Sequence, residues 1–225
     1  MTSFLSSAAK YYKAEAHQEA AWEALEAALD ASTLEAFKAA YRGSKAPPVA
    51  KSKNPLKVPY FKQNDNASGA GYRECFSSSC AMLAAFYGKV KGDDEYNQIR
   101  RKYGDTTSLT AQLNALTSLG LKPAFATTGS LGDLKKEIDA GRPVAVGWLH
   151  KGHSSSPSGG GHWSVVIGYN DTHFILHDPN GEADLLNGGY VNLWRGQSVP
   201  YSFKNFLPRW NVEGHNSGWY LTVKP

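Results

Sequence analysis

A thiol, an imidazole and a carboxylate stand out in this 225-residue chain by type and by position. Cys75 lies in Glu74-Cys75-Phe76-Ser77-Ser78-Ser79-Cys80-Ala81-Met82, directly before a helical pattern. There a thiol feels the positive end of the helix dipole and unpaired backbone N–H groups, which favour the thiolate. His162 opens the strand-like run Gly161-His162-Trp163-Ser164-Val165-Val166-Ile167-Gly168-Tyr169, and Asp178 closes the next one in His177-Asp178-Pro179. Such a set could attack an acyl carbon. The thiolate is the nucleophile, the imidazole takes and returns the proton, and the carboxylate orients the imidazole. Gln63, in Val58-Pro59-Tyr60-Phe61-Lys62-Gln63, is a candidate oxyanion donor, with the Cys75 backbone N–H as its companion. Each residue also has a plainer reading. Free cysteines are commonly small buried apolar groups, and Gln63 by itself reads as an exposed polar residue.

The elements around these residues decide whether they meet. Helical spacing predicts helices over Ser77–Tyr87, Glu95–Tyr103, Thr110–Leu119 and Leu131–Ala140. Runs of Val, Ile and aromatics predict strands over Pro143–Leu149, His162–Tyr169 and His173–Leu176, with a closing strand over Tyr220–Val223. Helices gathered first and an antiparallel sheet afterwards make an α+β fold. A hairpin centred on Asn170 makes His162 and Asp178 direct cross-strand neighbours. A two-residue turn at Asn170-Asp171 instead sends them to opposite faces, unless a β-bulge intervenes. Cys80 lies five residues past Cys75, roughly 140° around the helix, and faces elsewhere.

Before this block, residues 1–43 read as a helical module, a hairpin of two helices, with Ser32 and Glu35 as a capping box and Gly43 as a stop. Residues 44–57, with Pro47, Pro48, Pro55 and four lysines, read as an extended linker. The domain proper is expected over 58–225. Composition excludes other classes. Hydrophobic residues at 41% argue against disorder, and no apolar run is long enough to insert in a membrane. Two cysteines make neither a disulfide framework nor a four-cysteine zinc site. A net charge of +4 is far from nucleic-acid-binding density but suits an anionic surface. The N-terminus lacks the pattern of a secretory signal, so synthesis in the cytoplasm is expected.

Val58-Pro59-Tyr60, Gln63, Cys75 seven residues before Met82, Gly141-Arg142-Pro143-Val144, Gly161-His162-Trp163 and Asp178-Pro179 occur in this order. From Val58 to about Pro179 the chain thereby resembles the C39-like peptidases, a papain-like group. The resemblance implies a papain-like cysteine peptidase fold with helices packed on an antiparallel sheet. It selects Cys75 over Cys80 as nucleophile, with His162, Asp178 and Gln63 in the roles above and no cofactor. Two departures stand out. Many members follow the cysteine with Gly-Pro, where this chain has Phe76-Ser77. Gln63 also precedes Cys75 by twelve residues, so Asn64–Arg73 must loop out.

Members that trim double-glycine leader peptides work inside membrane transporters, and this chain shows no membrane segment. A basic, signal-less hydrolase with a helical attachment looks instead like a bacteriophage endolysin, made in the infected host and acting on the cell wall. Its expected substrate is the peptide part of peptidoglycan, and the N-terminal helices are expected to dock it there. The competing classes are a peptidase or acyltransferase on a soluble peptide, and a non-catalytic virion component keeping the fold. His150, His153 and His162 with Cys75 match no familiar zinc spacing. Within the Ser/Gly-rich segment Ser154–Gly161, the loop Ser158–Gly161 reads as a gate beside His162, and Trp194, Trp210 and Trp219 read as core residues.

Overall fold

The computed structural model describes Asp30, Ser32 and residues 55–225. The helical module expected over 1–43, but for those two residues, and nearly all of the linker lie outside the described residues. Two 3-10 turns, Gln63–Asp65 and Gly71–Arg73, lead into α1 (Cys75–Phe86), α2 (Asp93–Arg100) and α3 (Leu109–Ser118). Then follow β1 (Lys122–Gly129), α4 (Leu131–Asp139), β2 (Val144–Trp148), β3 (His162–Tyr169), β4 (His173–His177), β5 (Glu182–Ala183) and β6 (Tyr190–Asn192). β7 (Val199–Ser202), α5 (Phe203–Trp210) and β8 (Gly218–Lys224) complete the domain. Among the described residues six strands form one antiparallel sheet, in the order β1-β8-β2-β3-β4-β7, and β5 pairs with β6 beside it.

Alternation along the central strands gives the sheet two buried faces. Ala145, Val165, Ile167 and Leu221 pack with Phe76, Met82 and Leu83 of α1. Val144, Val146, Val166 and Leu176 pack with Leu134 and Ile138 of α4 and with Phe206 and Trp210 of α5. α1 is buried without a break from Phe76 to Ala84. A helix enclosed all round must satisfy its polar side chains internally. Ser77 accordingly bonds Thr106 at 2.7 Å and Gln112 at 2.9 Å, and Ser78 donates to Asp93 at 3.0 Å, while the Ser79 hydroxyl is left without a partner. Ser108 caps α3, and Ser130 with Asp133 forms a capping box on α4.

This α+β arrangement is the expected one, with differences of cause. β1 carries Lys122-Pro123-Ala124 and two threonines, a pattern too mixed to read as a strand. Pro200 sits in β7, which is the sheet's other edge, a place where a missing N–H costs no ladder bond. Pro208 interrupts the pattern of α5 near its end. Leu56, assigned to the linker from its proline-rich surroundings, already belongs to the fold. Its N–H donates to the Ile167 carbonyl at 2.7 Å.

Candidate active site

Cys75 is the first residue of α1, where backbone N–H groups have no partner within the helix. Glu74, at the cap position, does not cap it. Its buried carboxylate turns away to accept from Asn66 at 2.6 Å and Ser68 at 2.8 Å. The helix start is therefore left without a side-chain cap. Cys75 is half-buried, whereas Cys80 is fully enclosed against Tyr96. Burial pushes the Cys80 thiol far up, so it stays protonated and inert.

His162 and Asp178 meet, though not in the register of a hairpin centred on Asn170. The turn residues are Asp171 and Thr172, held by Asn170 N–H to the His173 carbonyl at 2.9 Å. On the turn side Tyr169 pairs with Phe174 and Gly168 with Ile175. That register, continued, would set Asp178 level with Val165 and send it to the face opposite His162. A bulge at Ile167 intervenes, after which Val166 pairs with Leu176 and Val165 with His177. Asp178 now falls level with Ser164, on the same face as His162 and diagonal to it. His162 Nε2 lies 2.7 Å from Asp178 Oδ1. The carboxylate also accepts from the Asn180 backbone N–H at 3.0 Å and from the Tyr201 hydroxyl at 2.9 Å, which fixes its plane.

Gln63 is brought to the same place by a strap. The Tyr60 hydroxyl donates to the Asp178 carbonyl at 3.0 Å, the Gln63 N–H to the Pro179 carbonyl at 2.9 Å, and Asn64 to the Asn180 side chain at 2.8 Å. The loop of Asn64–Arg73 folds back so closely that a Cβ at Gly71 would collide with the Gln63 carbonyl. Gln63 Nε2 donates to the Gly71 carbonyl at 2.9 Å, which leaves it a second N–H. The departure at Phe76 also acquires a reason. Its ring stacks on Trp163 at 3.9 Å, so the residues following Cys75 and His162 grip one another.

Cys75, His162 and Gln63 line one cleft of about 680 Å³, with Trp219 and the glycines 159–161 on its rim. Burial alone would lower the His162 pKa, but Asp178 and a hydrogen bond with Cys75 overcome it and raise the pKa to about 10. With Nε2 held by Asp178, Nδ1 is the nitrogen that remains for the thiol. A thiol beside an imidazolium, under a helix N-terminus, is equipped for acyl transfer. The ring should keep its proton through neutral pH. Activity, measured as kcat/KM against pH, should therefore hold up to about pH 9 and decline near 10. An alkaline limb centred near 7 would mean that the Asp178 contact does not govern His162.

The remaining histidines and tryptophans take other places. His153 bonds Ser155 at 2.8 Å, and among the described residues no three His, Cys, Asp or Glu side chains gather as a metal site. His177 is buried, donating to the Val58 carbonyl at 2.9 Å and accepting from the Ser198 N–H at 3.0 Å. Of the tryptophans expected in the core only Trp210 is there. Trp194 is exposed, and Trp219 is partly exposed at the cleft. The loop before His162 is pinned by a two-way backbone bridge between Lys151 and Ser158. Reading the sequence passed over Tyr201, Asn180 and Tyr190, and weighed His150 only as a zinc ligand. They come from separate loops and strands, and no local pattern announces them.

Comparison with known proteins adds three findings. The model of the family described as Peptidase C39-like matches residues 55–214. No curated protein matches the sequence significantly. Among solved structures, one described as a C39-like peptidase from Bacillus anthracis is similar with a TM-score of 0.52 and 18% identity, over 75% of this chain and 96% of that one. A double glycine motif protease from an AMS/PCAT transporter, solved with its leader peptide, gives a TM-score of 0.50 and 21% identity, over 80% and 99%. At these identities the likeness is one of fold.

Proposed function

This chain belongs to the C39-like peptidase family and is a cysteine peptidase, and we propose that it cleaves amide bonds in the peptide of bacterial cell walls, as a bacteriophage endolysin does. Cys75 Sγ attacks the carbonyl carbon, with its proton held on His162. The tetrahedral oxyanion is met by the Cys75 backbone N–H and the free N–H of Gln63 Nε2. Collapse breaks the C–N bond, and the leaving amine takes the proton from His162. Water then attacks the thioester, gives one proton to the imidazole, and releases the acid and the thiolate, which restores the starting pair. Asp178, through its 2.7 Å contact with Nε2, orients the ring and stabilises its charged form.

The observation that carries the mechanism is this His162–Asp178 pair beside Cys75 in one open cleft. The net charge of +4 supports an anionic polymer such as the wall as target. A second reading, processing of a soluble peptide, draws on the fold shared with the leader-bound protease. Mass spectrometry of products from purified peptidoglycan separates the two. The wall reading expects new amino groups and no new reducing ends, because a thiol–imidazole pair attacks acyl carbon. Intact sacculi alongside efficient cleavage of soluble peptides would overturn it, and new reducing ends would overturn both.

A further inference from the structure

Three residues that line this cleft each carry a buried polar atom without a hydrogen-bond partner: Gln63 its Oε1, His150 its Nδ1 and Tyr190 its hydroxyl. Native interiors rarely leave such groups unmet, and where several converge they await a ligand. Gln63 is accounted for by the oxyanion position. His150 and Tyr190 are not used by the reaction as described.

These two residues form a unit with the imidazole. The ring centroids of His162, His150 and Tyr190 make a nearly equilateral triangle, 5.7 Å from His162 to each and 6.0 Å between the other two. The backbone holds the unit together, because the Gly189 N–H donates to the His150 carbonyl at 2.7 Å and so sets Tyr190 beside it. Both rings touch His162, the group that hands its proton to the departing amine. They therefore stand beside the group that meets the leaving portion of the substrate.

The chemistry of the pair is also defined. Burial, with His162 and Lys151 nearby, lowers the His150 pKa to about 4, so its ring is neutral and offers one N–H. Burial and Asp178 raise the Tyr190 pKa, so its hydroxyl keeps its proton. It nears the Asn180 side chain without completing a hydrogen bond. Lys151 and the buried Arg209 both add positive potential at His150. The negative charge of Asp178 is offset by the protonated His162 bonded to it. Two neutral donors in a positive field suit an anion with two oxygens.

We infer that His150 and Tyr190 form a leaving-group subsite that binds a carboxylate on the substrate residue following the scissile bond. This rests on the peptidase reading above and deepens it. The carboxylate has two sources, a free chain end or an acidic side chain.

The test uses the full chain and three peptides that share one acyl part. In one the leaving residue has a free chain end, in one it is an amidated glutamate, and in one it is an amidated glutamine. The expected result is a kcat/KM at least about tenfold higher for a carboxylate-bearing peptide than for the neutral one, expressed mainly in KM. Whichever carboxylate is preferred names the source. Tyr190→Phe and His150→Phe should each bring that ratio toward one. A merely structural role would lower all three rates and keep the ratio, which overturns the proposal, as does a wild-type ratio near one. Calorimetry of Cys75→Ala with the three amine products repeats the comparison without turnover. Preferential binding of a carboxylated product there sustains the subsite even if the peptidase reading fails, and equal binding refutes it.

Discussion

Cys75→Ala lowers turnover of any cleavable peptide by at least about 10⁴-fold, the scale seen when one member of a nucleophilic triad is removed. The loss follows from chemistry alone, because no other thiol reaches His162. Cys80→Ala is the matching control. Cys80 is fully enclosed in α1 among residues that pack against the sheet. Its truncation removes one buried sulfur, costs about 1 kcal/mol of stability, and leaves the rate near that of the natural chain. Alkylation separates the two thiols in a single sample. Iodoacetamide followed by peptide mass mapping should label Cys75 within minutes in the folded protein and Cys80 only after unfolding. A Cys75→Ala protein that retains full activity, or first labelling at Cys80, would remove the thiol mechanism.

The largest expected effect on stability is at Arg209. Its side chain is entirely buried at the end of α5, and it meets no carboxylate directly. Its guanidinium donates to five backbone carbonyls: Leu185 at 2.7 Å, Leu149 at 3.0 Å, Lys151 at 3.1 Å, Gly152 at 2.7 Å and Leu186 at 3.5 Å. Those carbonyls belong to two loops, the one that leaves β2 with His150 and the one between β5 and β6 that precedes Tyr190. Arg209→Met fills the space but strands the acceptors in a dry interior. A cost of about 3–5 kcal/mol follows, which for a domain of this size lowers Tm by on the order of 10 °C. Arg209→Lys restores charge without the planar fork and should recover only part of it. Calorimetric melting measures both. An unchanged Tm for Arg209→Met would show that the loops hold themselves.

The sequence revealed the site better than the edges of the fold. Cys75, His162 and Asp178 were legible because each sits at the end of a strongly patterned element, and element ends are marked by local residue choice. β1 and β7 were not, because edge strands answer to a single neighbour and tolerate Pro123 or Pro200. Their identity comes from pairing with β8 and β4, which no local window contains. The hairpin register was legible only as alternatives, since the position of one extra residue decides it. The pairing of His150 with Tyr190 was hidden for another reason. Forty residues separate them, and the bond that joins them runs through the backbone of Gly189, where side-chain type leaves no trace.

The bulge at Ile167 has a consequence for how this chain can change over time. It offsets the base end of β3 from the turn end by one residue. Loss of that residue would close the ladder with Val166 still opposite Leu176 and Val165 still opposite His177, so His162 and Asp178 would keep one face. A residue added between Trp163 and Val166 would instead turn His162 to the face of the first helix and set Trp163 on the face of Asp178. The hairpin thus holds one residue of slack, which absorbs a single-codon deletion but not an insertion.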